Sequence, residues 1–125
     1  MTDRLLVIFA ALTLMVGVGT GAFGAHALKR ILNPDMLAIW QTAVQYQMVH
    51  GLGMLMIALL AARYGSPLLH YAGMVMFAGV VVFSGSLYLL AFTGIRWLGA
   101  ITPFGGLAFI AAWAMVALAA WRSTP

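Results

Sequence analysis

Apolar positions in this chain form four nearly unbroken blocks, separated by short clusters of charge, proline and glycine. Residues 5–25 carry no charge, and residues 44–62 are apolar apart from Gln45, Gln47 and His50. Residues 68–92 and 103–121 contain no Asp, Glu, Lys or Arg. A bilayer core of about 30 Å needs roughly 20 apolar residues per helix, so each block is long enough to span it. A helix apolar all round has to be covered by lipid or by other helices. The pattern therefore predicts an all-α fold, an integral membrane four-helix bundle. The first block follows Arg4, as the apolar core of a signal peptide would follow its basic end. It exceeds the roughly 7–15 residues of such a core, and no small-residue cleavage site follows, so it is expected to be a retained helix.

Prolines mark where the helices begin. Asn33-Pro34, Ser66-Pro67 and Thr102-Pro103 each pair a capping residue with proline, which lacks the N–H that would go unpaired in a first turn. Helices are expected at about 5–25, 34–62, 67–92 and 103–121, in a single transmembrane domain covering 1–125. Begun at Pro34, the second helix is longer than a bilayer requires, so Asp35, Trp40 and Gln41 are expected in or above the headgroup region. Four spans place both termini on one side of the membrane. Arg4, Arg63 and Arg122 lie on that side, and Lys29, Arg30 and Arg96 lie on the other. The tie leaves only a slight preference for cytoplasmic termini in a bacterial inner (plasma) membrane.

Composition agrees with a lipid solvent: 65% of the 125 residues are hydrophobic and 6% charged, against about 25% charged in a soluble domain. Six Lys+Arg against two Asp+Glu leave a formal charge of +4. Cations this scattered make no nucleic-acid surface, and the lipid bilayer is the expected partner. Without cysteine, disulfides, thiolate metal sites and thiol nucleophiles are excluded.

Between helices in lipid, association depends on close packing and hydrogen bonds, which favours small residues at the contacts. Gly17 and Gly21 form a GxxxG pair that Ala25 continues, with Gly24 beside them. Gly105, Ala108 and Ala112 offer a similar surface on the fourth helix, while Ala10 lies off the first stripe. Such a stripe serves packing within the bundle or a homo-oligomeric contact, and both readings stay open.

Helix direction brings polar residues remote in sequence to the end of the bundle nearest loops 27–33 and 93–100. His26 closes the first helix there. Gln45, Tyr46, Gln47 and His50 lie in the first half of the second, Ser84, Ser86 and Tyr88 in the last part of the third, and Thr102 at the start of the fourth. Polar groups in hydrocarbon serve as interhelical glue or as the lining of a site. His50, about 10 Å inside the interface, is expected to point inward and bond Ser84, Ser86 or His26. Asp3 and Asp35 are peripheral, the chain has no glutamate, and hydrolase, phosphate-loop and metalloprotease motifs are missing. No catalytic residue, metal site or cofactor is expected.

The runs Gly21-Ala22-Phe23-Gly24-Ala25-His26, Trp40-Gln41-Thr42-Ala43 through Tyr46-Gln47 to His50, Phe83-Ser84-Gly85-Ser86-Leu87-Tyr88 and Ile101-Thr102-Pro103-Phe104-Gly105-Gly106, with Trp113, occur in order at all four spans. In them the chain resembles the small bacterial membrane-protein family that includes YgdD and YwdK and is similar to animal transmembrane protein 256. The resemblance implies a four-helix inner-membrane protein without an established biochemical activity. The expected role is structural or accessory and non-enzymatic, in packing with itself, as a homo-oligomer, or with a larger membrane complex. The alternative is a small oligomeric transporter or channel with a polar pocket near His50, Ser84 and Ser86.

Overall fold

The computed structural model describes residues 2–123; residues 1, 124 and 125, the outermost of the expected domain, lie outside the described residues. Four helices make up the fold: α1 (Asp3–His26), α2 (Pro34–Tyr64), α3 (Pro67–Thr93) and α4 (Thr102–Arg122). Single-turn 3-10 segments at Leu28–Arg30 and Arg96–Ala100 link α1 to α2 and α3 to α4. All four spans are long and apolar enough to cross a membrane.

Helix ends follow local chemistry, with two corrections. Thr2 Oγ1 accepts from Leu5 N at 3.2 Å and Asn33 Oδ1 from Met36 N at 2.9 Å, which satisfies orphan donors of α1 and α2. Ser66 makes no capping bond. Thr102 is already helical, because the preceding 3-10 turn runs straight into α4 and the Ile101 carbonyl accepts from Phe104 N at 3.0 Å. Gly65 and Gly94, at φ 62° and 70°, end α2 and α3 in the left-handed conformation that side chains disfavour.

α2 and α3 form the central antiparallel pair. α1 packs mainly on α2, α4 mainly on α3, and among the described residues no Cα of α1 comes within 8 Å of one of α4. Leu6, Ile57, Met76 and Ala112, one from each helix, belong to the same buried core. The described chain ends therefore lie at the same end of the bundle.

The α1 glycine stripe meets α2 of the same chain. A Cβ on Gly17 would come within 2.5 Å of Met48 Sδ, on Gly21 within 3.2 Å of Val44 Cγ1, and on Gly24 within 2.6 Å of the Trp40 ring. Gly105 approaches most closely, since its Cβ would fall 2.4 Å from the Phe83 backbone nitrogen. Ala112 is buried, but Ala25 is exposed and Ala108 half-buried, so neither continues a tight seam. Ala10 is fully buried in the core, against the expectation that it lay off the contact. It precedes Gly17 by seven residues, two helical turns, and so shares its face.

Trp40 is 6% exposed, because its indole fills the space left by Gly24 and packs tilted against Tyr88 and edge-on to Phe92. Trp40 is thus level with the last turns of α1 and α3, and only the start of α2 reaches past them.

Candidate functional site

Gln47 sits at the centre of the polar network and is 4% exposed. Its Nε2 donates to the Thr13 carbonyl of α1 at 2.9 Å, and its Oε1 accepts from the Tyr88 hydroxyl of α3 at 2.5 Å. Thr20 Oγ1 lies 2.9 Å from that tyrosine oxygen, and Trp40 Nε1 donates to the Thr20 carbonyl at 2.9 Å. Three helices are laced together this way. Ser84 Oγ donates to the Ala43 carbonyl at 2.7 Å, tying α3 to α2, and Ser86 Oγ lies 2.6 Å from Thr102 Oγ1, tying α3 to α4. Among the described residues, no fully buried side-chain nitrogen or oxygen lacks a partner.

Gln47, Ser84, Ser86, Tyr88 and Thr102 therefore join helices as the sequence suggests, and four residues of the proposed cluster do not. His50 is buried, but it bonds neither Ser84, Ser86 nor His26. Its Nδ1 lies 2.8 Å from the carbonyl of Tyr46 on its own helix, and its ring lies flat on Phe109 of α4, with centroids 3.6 Å apart. It sits near the midpoint of α2. His26 and Gln45 are exposed. Each stands two residues, or about 200° of helix rotation, from a residue facing the interior, Gly24 and Gln47 respectively. Tyr46 is 40% exposed and its ring packs on Phe83. Thr13, Thr20 and Trp40 join the network unforeseen. The spacing Thr13, Gly17, Thr20, Gly24 puts all four on one face of α1 and was the available signal.

Between α1 and α3 the helices separate around a cavity of about 410 Å³. Its walls include Phe9, Leu12, Val16, Phe77 and Val81, and Gln47 and Tyr88 lie at its polar edge. At one end α1 and α3 are joined by Thr20 and Tyr88, and at the other by a hydrogen bond between Asp3 and His70. Every polar edge of this cavity is spent within the protein, so its chemistry is that of the surrounding hydrocarbon.

A bundle of long apolar helices tied by internal hydrogen bonds defines a small polytopic membrane protein. Residues 20–106 match the family described as Protein of unknown function (DUF423). UPF0382 membrane protein SH2409 of Staphylococcus haemolyticus is 50% identical over 119 residues, covering 95% of this chain and 97% of its own. UPF0382 membrane protein YwdK of Bacillus subtilis is 48% identical over 118 residues, covering 94% and 96%. No solved structure matches the chain. The chain belongs to the DUF423 (UPF0382) family of membrane proteins, as the four motif runs suggested.

Proposed function

We propose that the protein is a non-enzymatic structural or accessory component of the bacterial inner membrane, packing with itself or with a larger membrane complex through the outer faces of α1 and α4. One observation carries this reading: Gln47, Ser84, Ser86, Tyr88 and Thr102 are spent on bonds between helices, while α1 and α4 flank the central pair without close approach. A transport path would keep polar groups free along its length. Here Ser84 and Ser86 are each spent on a neighbouring helix. Both termini are placed in the cytoplasm, with Arg4, Arg63 and Arg122 on that side.

Native mass spectrometry after extraction in mild detergent, paired with glycerol and urea flux into vesicles carrying the protein, tests the proposal. A defined homo-oligomer or a complex of fixed stoichiometry, with flux no greater than in protein-free vesicles, is the expected result. A monomer that conducts either solute, and loses that conduction in His50→Leu, would replace this reading with the transporter.

A further inference from the structure

Three polar groups on α2 are left out of the network, and they surround one recess. It is an open groove of about 220 Å³ on α2, lined by Gln45, Tyr46, Val49 and His50. His50 is 6% exposed. A carbonyl only accepts, so the neutral ring carries its proton on Nδ1 for the Tyr46 carbonyl and leaves a lone pair on Nε2. Among the described residues nothing donates to that nitrogen. Because no fully buried side-chain nitrogen lacks a partner, Nε2 keeps an accessible edge, and the recess is the open space His50 lines. The Gln45 amide and the Tyr46 hydroxyl also meet no hydrogen-bonding partner among the described residues.

Trp40 is level with the last turns of α1 and α3, and His50 lies ten residues, about 15 Å, further along α2 at 1.5 Å per residue. An unmet acceptor inside an apolar span is costly. The ring is also fixed in direction, held by its backbone bond on one edge and by Phe109 on one face. A fixed acceptor loses little freedom when a donor arrives.

We propose that this recess binds the hydroxyl head of a membrane-dissolved amphiphile, an alcohol or phenol on an apolar body. Its O–H donates to His50 Nε2, and the Gln45 amide donates to its oxygen. The donor is required because Nε2 in this tautomer only accepts. The head is uncharged because none of the four lining residues is a carboxylate, lysine or arginine. Only the head enters, since the space is smaller than the roughly 300–1,000 Å³ that encloses a drug-sized ligand. The apolar body stays in the bilayer. This site goes beyond the accessory role and does not depend on it.

The test uses the full chain with nitrogen-15-labelled histidine in phospholipid nanodiscs, where only His26, His50 and His70 give signals. Para-decylphenol and dioleoylglycerol are titrated, each against its O-methyl ether. The expected result is a saturable shift of the His50 Nε2 resonance alone, with the ether bound at least about tenfold more weakly. Which hydroxyl compound binds identifies the source, phenol or lipid alcohol. Gln45→Leu, at an exposed and unbonded position, should weaken binding roughly 3- to 10-fold without moving the melting temperature. Equal affinity for hydroxyl and ether, or an unmoved His50 resonance in folded protein with both hydroxyl probes at saturation, overturns the proposal. So does a resonance that follows the protein-to-lipid ratio and neither probe, since a second copy then fills the recess.

Discussion

Tyr88 of α3 donates its hydroxyl proton to Gln47 of α2 across 2.5 Å, at the point where Gln47 also reaches the Thr13 carbonyl of α1. One amide thereby fixes the register of three helices. In lipid a hydrogen bond of this kind contributes about 0.6 to 1.7 kcal/mol, because the separated helices also find partners. Gln47→Leu removes two such bonds and should cost about 1–3 kcal/mol. Tyr88→Phe also removes two, to Gln47 and Thr20, and leaves the buried Gln47 Oε1 without a donor, so its cost should be similar. A double-mutant cycle by denaturant unfolding in detergent should give a coupling near 1 kcal/mol. Additive single effects would mean the bond contributes nothing to stability.

Glycine substitutions should rank by what the new methyl meets rather than by membership of a GxxxG motif. At Gly105 it meets the Phe83 backbone at 2.4 Å, which cannot turn aside, so Gly105→Ala should cost at least about 2 kcal/mol. At Gly17 it meets the Met48 thioether, a flexible end that can rotate away, and the cost should stay below about 1 kcal/mol. Gly19 has nothing within 4 Å, and Gly19→Ala should be neutral or slightly stabilising. Melting temperatures in one detergent check the order. A Gly17 variant damaged as badly as the Gly105 variant would contradict it.

The span count and helix starts were legible because they depend on local features: twenty apolar residues, and proline after a capping residue. Which polar residues meet was legible only as far as depth along a helix decides it. Depth put Gln47 with Tyr88 and Ser86 with Thr102. Rotation about the helix axis then decides the rest, and in a helix apolar on every side the hydrophobic pattern does not show which face turns inward. Hence Gln45 and His26 lie at a suitable depth on the wrong face. His50 is buried but meets an aromatic ring, because Phe109, four residues from Gly105, is carried inward by the close α3–α4 contact. The burial of Trp40 was not legible for a related reason, since the vacancy it fills belongs to Gly24 on another helix.

A hydrogen bond between Asp3 and His70 joins the starts of α1 and α3. Their side chains are 44% and 30% exposed, and solvent screens such a pair, so His70→Gln should cost less than about 1 kcal/mol. Leu6, one turn further in and fully buried against Gly73, holds the same junction by packing. Leu6→Ala should cost more, about 2 kcal/mol from the cavity alone. Hydrogen exchange at residues 5–10 should rise slightly in the first variant and strongly in the second. The reverse order would make the Asp3–His70 bond the main fastening of α1.

The separation of α1 from α4 can be tested by cross-linking, because the native chain contains no cysteine to compete. Phe9 and Phe77 face each other with ring centroids 5.1 Å apart. Thiols in Phe9→Cys/Phe77→Cys should therefore be joined by a short bifunctional reagent within one chain, giving a monomer of altered gel mobility. Val16 of α1 and Ala111 of α4 are both exposed and lie on helices that do not approach closely. Val16→Cys/Ala111→Cys should give no intramolecular product in membranes. Any product should run as a dimer, which would mean that these outer faces meet between copies, as the accessory reading expects. An intramolecular α1–α4 link at high yield would instead describe a closed bundle, and the flanking arrangement of α1 and α4 would be wrong.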